Sequence, residues 1–380
     1  MSAEIVIIGS GFASRQLVKN LRHRDNGVPI RVFAADSCDE YSKPELSHVF
    51  SLGQTAEDLS RQRAAAWAEA QNIMLHPHSR VSRIETASRR VITDAGNFRY
   101  GKLVLATGAE PIRPPVSGSE LMVTLNSQRD YRQCEAAIRH AKRVLVLGGG
   151  LVGTELAMDL NRAGKEVMVV DRGPGLLCRL LPPEIAGRLQ HRLLQNGVHF
   201  MFGSELSAIE RDQDGLVASF SQKHQQHFDA IICAIGLRPN VALAREAGLG
   251  VQRGIVVDDA LATSDPDIYA LGDCAEIHGK LMPYLQPATL AAMTLAKNLT
   301  GEASKLLLPT MLIKVKTPDM PLHLAGDTAN PALNWEVAFS SAGLVAKGFD
   351  DEGTLNAFVV SEDHMKLAFS MLKSVKQSGK

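Results

Sequence analysis

Ile5-Val6-Ile7-Ile8-Gly9-Ser10-Gly11-Phe12-Ala13-Ser14 and Val144-Leu145-Val146-Leu147-Gly148-Gly149-Gly150-Leu151-Val152-Gly153 carry one pattern twice, about a domain's length apart. Each begins with four apolar residues that read as a parallel strand buried on both faces. A glycine-rich turn follows at once and opens a helix. Missing Cβ atoms in such a turn let the backbone approach a pyrophosphate at the helix N-terminus. One copy alone is a weak signal. Two copies in register imply that the chain holds two dinucleotides.

The pattern also calls for a carboxylate about 20 residues on, at the end of the next strand, to accept hydrogen bonds from ribose hydroxyls. Ile30-Arg31-Val32-Phe33-Ala34-Ala35-Asp36 supplies Asp36, 22 residues beyond Ser14. Val167-Met168-Val169-Val170-Asp171 supplies Asp171, 18 residues beyond Gly153. Asp171 would repel a 2′-phosphate, so NADH is expected over NADPH. Arg172 beside it moderates that preference, because a basic side chain there can tolerate the phosphate. Ser14 stands where a third glycine is usual and adds a small side chain at the helix–strand contact.

Working outward, the segment from Ser14 to Arg22 has Leu17, Val18 and Leu21 at helical spacing, and Ala56 to Gln71 has Ala-rich helical composition. Short β-like runs alternate with turns from Val81 to Lys102, with a hairpin signal over Val91 to Gly96. Leu103-Val104-Leu105-Ala106-Thr107-Gly108 and Ala230-Ile231-Ile232-Cys233-Ala234-Ile235-Gly236 share one form, an apolar strand ending in glycine. That echo suggests that the second dinucleotide unit is inserted in the first. From Leu306 the chain has strand-like runs at Met311–Val315 and Ala357–Val360. A final helix is expected with Ser361 as N-cap, Glu362 and Asp363 in its first turn, and an apolar stripe of Met365, Ala368, Phe369 and Leu372.

A third feature is Thr263-Ser264-Asp265-Pro266-Asp267-Ile268-Tyr269-Ala270-Leu271-Gly272-Asp273. A short buried strand here presents Asp273 at its C-terminal edge, where ligands bind in open α/β sheets. Asp273 can accept hydrogen bonds from a polyol such as a ribityl chain; it can equally be a turn residue capping the next helix.

Composition sets the frame. The 380 residues suffice for two to three domains, and 41 Lys plus Arg balance 41 Asp plus Glu, so nothing advertises a nucleic acid or an anionic membrane as partner. The first strand starts close to Met1, which leaves no room for a signal peptide, and no apolar run approaches the roughly 20 residues of a transmembrane helix. A cytoplasmic location is expected. Five cysteines, Cys38, Cys134, Cys178, Cys233 and Cys274, are scattered singly and fit reduced thiols used in packing. No residue is assigned to a metal.

The order of the two glycine turns, Ala106-Thr107-Gly108, Ile235-Gly236-Leu237-Arg238-Pro239-Asn240 and Leu271-Gly272-Asp273 resembles the two-dinucleotide FAD/NAD(P)H superfamily of pyridine nucleotide-disulfide oxidoreductases. Tyr41-Ser42-Lys43-Pro44-Glu45-Leu46-Ser47 and Val315-Lys316-Thr317-Pro318-Asp319-Met320-Pro321 look like the rubredoxin reductase branch, and more closely its bacterial flavorubredoxin reductases. The resemblance implies an α/β fold of two Rossmann-like domains, for FAD and NAD, with a small C-terminal α+β interface domain. The implied boundaries are 1–110 and 235–305 for a discontinuous FAD-binding domain, 111–234 for the NAD-binding domain and 306–380 for the C-terminal domain.

Roles follow from the same resemblance. Gly9, Gly11 and Ser14 would cradle the FAD pyrophosphate, Asp36 its adenosine ribose and Asp273 its ribityl chain, with Thr107 and Gly108 also at the FAD. Gly148, Gly150, Gly153 and Asp171 would take NADH, with Gly236 at the same site. Lys43 falls where the branch has a lysine beside the flavin, and Glu155, on the first turn of the second helix, could pair with it. These two are the catalytic candidates: a cation near the flavin favours the reduced form that carries extra charge. Lys316 resembles a lysine at the acceptor-facing mouth, with Lys314 two residues before it on the same strand; an ordinary surface strand would also account for that pair. The implied activity is NADH-dependent reduction of a rubredoxin-type iron centre, with the rubredoxin domain of flavorubredoxin, or rubredoxin itself, as partner in anaerobic nitric oxide detoxification.

Other chemistries of the superfamily lack their residues. Disulfide reduction needs a cysteine pair, and coenzyme A-disulfide reductases or water-forming NADH oxidases need one cysteine near Glu45 to Ser47, where none stands. Quinone reduction at a membrane would want an apolar C-terminal segment, and the last helical pattern is interrupted by Lys366 and Lys373. A ferredoxin reductase of an oxygenase system and a non-catalytic NADH-sensing flavoprotein remain as alternatives.

Overall fold

The computed structural model describes residues 4–221 and 224–376. The chain packs as two compact units, each discontinuous in sequence. One comprises Met1–Tyr41, Ser60–Glu110 and Leu237–Leu308; the other comprises Ser42–Leu59, Pro111–Gly236 and Pro309–Lys380.

The first unit is built on a five-stranded parallel sheet in the order Ile268–Ala270, Lys102–Leu105, Ile5–Ile8, Ile30–Phe33, Met74–His76. Ile5–Ile8 is buried along its whole length because neighbours cover both its edges and both its faces. The chain order along the sheet reverses between Ile5–Ile8 and Lys102–Leu105. That reversal opens a crevice at the carboxyl ends of the strands, and the helix Phe12–Arg24 starts there. The unit also holds a three-stranded antiparallel meander, Val81–Glu85, Arg90–Thr93 and Gly96–Arg99, and the helix Leu285–Leu299.

The second unit repeats the plan. Its parallel sheet runs His199–Phe202, Glu166–Asp171, Arg143–Leu147, Ala230–Cys233, and its meander is Leu206–Asp212, Gly215–Phe220 and Gln225–Phe228. The reversal again lies beside the first strand of the set, Arg143–Leu147, where the helix Leu151–Arg162 begins. The same unit holds a five-stranded antiparallel sheet in the order Ile313–Val315, Leu322–Gly326, Leu355–Ser361, Gly343–Phe349, Asn334–Ser340. Contacts within the unit bind this C-terminal sheet to the parallel one: Arg162 pairs with Asp319, Arg192 with Glu362, and the Thr328 hydroxyl donates to the Leu180 carbonyl.

Two sequence expectations are corrected. The Ala-rich stretch from Ala56 is not one helix. It forms a 3₁₀ turn at Glu57–Leu59 and a short strand Ser60–Gln62 that pairs with Glu40–Tyr41, and only Ala64–Gln71 is α-helical. Leu59 is buried, and strand pairing with packing outweighs the weak helical preference of the residues around it. The C-terminal helix begins late as well. Glu362, paired with Arg192 and Arg188, has a left-handed backbone (φ 50°), Glu362–Leu367 is 3₁₀, and the α-helix is Ala368–Ser374. The apolar face shifts accordingly. Ala368, Met371, Leu372 and Val375 pack into the core, and Phe369 is 64% exposed.

Candidate functional site

In the first unit, Gly9 has φ 111°, and a Cβ placed on it would lie 2.2 Å from the Ala106 carbonyl oxygen, so only glycine fits where the two strand exits meet. Gly11 is the helix N-cap, and a Cβ there would meet no protein atom within 4 Å. It contributes no side-chain cap, and no acidic residue occupies the first turn. The terminal N–H groups and their partial positive charge are therefore directed at open space, a setting that favours an anion. Ser14 is fully buried, and its hydroxyl has no protein partner. Protein covers that hydroxyl, so Ser14 sits at the helix–strand contact behind the cradle that Gly9 and Gly11 leave open.

Asp36 follows the strand Ile30–Phe33, and its Oδ1 accepts from the Ser10 hydroxyl (2.9 Å) and the Cys38 N–H (3.1 Å). Thr107 and Asn240 exchange bonds: the Thr107 hydroxyl donates to the Asn240 carbonyl, and the Asn240 amide returns one to Thr107, each at 2.8 Å. The Asn240 N–H also donates to the Gly108 carbonyl. Thr107 thus anchors a strand exit. Gly272 lies so close to Ala13 that a Cβ would sit 2.8 Å from that residue's own, which sets Asp273 beside the start of the helix Phe12–Arg24. Gly9, Gly11, Ser14, Asp36, Thr107, Gly108 and Asp273 all gather at the carboxyl edge of one parallel sheet.

The second unit repeats this geometry. Gly148 has φ 113°, and a Cβ on it would meet the Ala234 carbonyl at 2.5 Å; Gly153 packs so tightly that a Cβ would lie 1.9 Å from the Gly148 carbonyl. Gly150, the N-cap, again faces open space, with no side-chain cap and no acid in the first turn. Asp171 is fixed through both oxygens, accepting from Gly149 N–H and Gly173 N–H at 2.6 Å each. Gly236, with φ 122°, follows the strand Ala230–Cys233 and accepts from Ile112 N–H through its carbonyl.

Glu155 begins the second turn of its helix, not the first, so simple complementarity to the helix N-terminus does not account for it. Its Oε2 accepts from the Ser47 hydroxyl at 2.8 Å and its Oε1 from the Lys316 N–H at 3.2 Å. One turn on, the buried Asp159 accepts from Phe50 N–H at 2.7 Å, from Ser51 N–H at 3.3 Å and from the Ser51 hydroxyl. Burial pushes the Asp159 carboxyl up from its ordinary range, and the three donors oppose that by favouring the ion. The helix Leu151–Arg162 thus pins residues 47–51 at two points. The half-buried Lys43 opens the 3₁₀ turn Lys43–Ser47 on the same segment. Lys314 and Lys316 are both exposed, Lys314 in the edge strand Ile313–Val315 and Lys316 just beyond it.

Sequence reasoning missed Ser47, Asp159 and Asn240 as supports of the site. Ser47 and Asn240 left a local signal, in the Tyr41 to Ser47 and Gly236 to Asn240 motifs, and Asp159 left none. The cysteines play no visible redox part. All five are free thiols, and burial pushes Cys38 and Cys134 up to about 12.

Residues 3–294 match the family described as pyridine nucleotide-disulphide oxidoreductase. The chain belongs to this family. Residues 305–375 match a second family, the rubredoxin binding C-terminal domain. The fold is α/β with two Rossmann-type sheets, and the family's cofactors, FAD with NADH as substrate, suit both glycine cradles. Among curated relatives, a "Nitric oxide reductase FlRd-NAD(+) reductase" of Escherichia fergusonii is 54% identical over 375 residues, covering 99% of this chain and all of the relative. One of the same name from Klebsiella pneumoniae is 56% identical with the same coverage. Among solved structures, the ferredoxin reductase for the CYP199A2 system from Rhodopseudomonas palustris superposes with TM-score 0.89 at 25% identity, covering 98% of this chain and 96% of that one. The covalent putidaredoxin reductase–putidaredoxin complex gives 0.88 at 25% identity, covering 98% and 92%. No helix among the described residues is long and apolar enough to cross a membrane.

Proposed function

We propose that this chain is an NADH-dependent FAD flavoprotein that reduces a rubredoxin-type iron centre, the rubredoxin domain of a flavorubredoxin serving nitric oxide reduction. The observation that carries the reading is the pairing of a family match over residues 3–294 with a rubredoxin-binding match over 305–375 in one chain. Full-length relatives named for FlRd–NAD(+) reduction support it. FAD held by the chain would supply the conversion between the electron pair of a hydride and the single electrons that an iron centre accepts.

The chain's residues bind and orient. In this reading Gly9, Gly11 and Ser14 hold the FAD pyrophosphate, Asp36 its adenosine ribose, Thr107 and Gly108 the strand exit beside it, and Asp273 its ribityl chain. Gly148, Gly150, Gly153, Gly236 and Asp171 hold NADH. The first unit is then the FAD-binding one, and the second carries the NADH site and the C-terminal sheet. Lys43 and Glu155 are the catalytic candidates, Lys43 as a cation favouring the reduced flavin and Glu155 as the carboxylate that keeps the 43–51 segment in place. Lys316 is the acceptor contact. A cytoplasmic location belongs to the proposal, supported by five cysteines held as free thiols.

A ferredoxin reductase is the second reading, favoured by the superposition on the ferredoxin reductase for the CYP199A2 system. Steady-state NADH oxidation by the purified protein, with a rubredoxin domain or a [2Fe–2S] ferredoxin as acceptor, separates the two. The proposal expects much the higher kcat/KM with the rubredoxin domain, and the reverse order would replace it with the second reading.

A further inference from the structure

Arg15 is the residue after Ser14, on the helix that starts at the first glycine turn. Its side chain is only 10% exposed, although it carries an unconditional positive charge. Three groups surround the guanidinium. Nη2 donates to the Cys38 carbonyl at 2.6 Å, Nη1 lies 3.6 Å from a Glu40 carboxylate oxygen, and the plane stacks over Trp67 with its carbon 4.1 Å from the ring centroid. Burial pulls the guanidinium below its ordinary value, and Glu40 is the strongest of the charges that oppose this.

The Cys38 carbonyl is an unusual object to hold. Cys38 is a non-glycine residue with φ 60°, buried, and its thiol is pushed up by burial to about 12, so it offers no thiolate to the cation. A left-handed conformation is strained at such a residue and persists only where its surroundings impose it. That conformation turns the Cys38 N–H back onto Asp36 Oδ1, which also receives the Ser10 hydroxyl. The backbone around Asp36 is stitched to the exit of the neighbouring strand: His78 N–H donates to the Asp36 carbonyl and Ser79 N–H to the Ala34 carbonyl, both at 2.8 Å. The Ala64 N–H meets Asp39 Oδ1. Arg15 is the one side chain of the glycine-turn helix that reaches this loop in those bonds.

We infer that Arg15 is a positioning residue for the adenosine ribose of FAD: by holding the Cys38 carbonyl it fixes the left-handed turn that aims the Asp36 carboxylate. The inference rests on the FAD reading of the first unit. Arginine suits the task because its planar fork can donate to a carbonyl and stack on an indole at once, which the point charge of lysine cannot. The loop is thereby pre-ordered, and a ligand that meets an ordered carboxylate does not bear the cost of ordering it.

The test uses the full-length chain stripped of flavin and titrated with FAD and, separately, with FMN, which lacks the adenosine ribose. Arg15→Met is expected to weaken FAD about 10- to 100-fold and to leave FMN within about twofold. Arg15→Lys, which keeps the charge and the fold, is expected to fall between wild type and Arg15→Met for FAD alone. In an Asp36→Ala background, Arg15→Met is expected to add nothing, because the two residues act as one. Equal losses for FAD and FMN in both variants, or full additivity with Asp36→Ala, would overturn the inference and leave Arg15 a plain structural residue. Wild-type protein that binds FAD no better than FMN would instead remove the FAD reading, and the inference with it.

Discussion

Gly150→Ala separates folding from dinucleotide binding in the second unit. Gly150 is a helix N-cap at φ −76° and ψ −171°, extended backbone that alanine adopts without strain, and its added methyl would meet no protein atom within 4 Å. Alanine is the poorer N-cap by about 0.5 kcal/mol, and the lower chain entropy of its unfolded state returns a similar amount. The net change in stability is close to zero. On the proposed function the methyl enters the space where the NADH pyrophosphate approaches the helix N-terminus, and overfilling a close contact costs about 2 kcal/mol. At 1.4 kcal/mol per tenfold, that is about a 30-fold weaker binding of NADH. Gly153→Ala is the contrast: its methyl would lie 1.9 Å from the Gly148 carbonyl, inside the folded protein, so the helix must leave the sheet. Steady-state KM for NADH and the melting midpoint are the two readouts. Gly150→Ala should raise KM about 30-fold and keep its midpoint within about 2 °C of wild type, whereas Gly153→Ala should lower the midpoint markedly. An unchanged KM in Gly150→Ala, or a midpoint as low as that of Gly153→Ala, would refute the reasoning.

Three further outcomes are expected. The Asp229 carboxyl is held down at about 2, chiefly by its hydrogen bond from Arg143, with the Arg143 and Lys142 N–H groups adding to it. A depressed carboxyl stabilises the fold above the unfolded-state value near 4, and the contribution disappears as pH falls towards 2. Asp229 is exposed to solvent, so screening discounts the shift, and Asp229→Asn should cost about 1 kcal/mol by denaturant titration at pH 7, with the gap to wild type closing between about pH 4 and pH 2. Cys178 is the exposed member of five cysteines, so an aromatic disulfide reagent should label one thiol fast in the native protein, and Cys178→Ser should abolish that phase; two equally fast thiols would contradict this. Lys316→Glu should lower kcat/KM for the rubredoxin domain several-fold at low ionic strength, leave KM for NADH unchanged, and lose its effect towards 1 M salt.

Both glycine turns and their carboxylates were legible because each is local: strand, turn, helix and acid lie within about 30 residues, and the glycines answer to backbone geometry next to them. What was not legible comes from long-range packing. Ser47, Glu155 and Lys316 meet across more than 100 residues of chain at each step, and no periodicity marks them. The same holds for Asp159 and its donors Phe50 and Ser51, through which Ser42–Leu59 belongs to the second unit although the sequence before and after it belongs to the first. The two misread helices have a physical lesson in common. At Ala56 and at Ser361 the local composition favours helix, and a tertiary contact made elsewhere prevails: a buried Leu59 beside a strand pairing in one case, the Arg192–Glu362 pair in the other. The first misreading moved a boundary. The second moved the apolar face and left Phe369 in solvent.

The central claim is that electrons pass from NADH through FAD to a rubredoxin-type iron centre. Its most direct test is to reduce the FAD-loaded protein with NADH in the absence of oxygen, mix it rapidly with an oxidised rubredoxin domain, and follow flavin and iron absorbance together. The account predicts that iron is reduced within milliseconds and in step with the loss of reduced flavin, two irons for each flavin fully reoxidised, and that the rate falls steeply with salt, as for charge-steered partners. Flavin that reoxidises no faster than in buffer, while the iron stays oxidised, would contradict it.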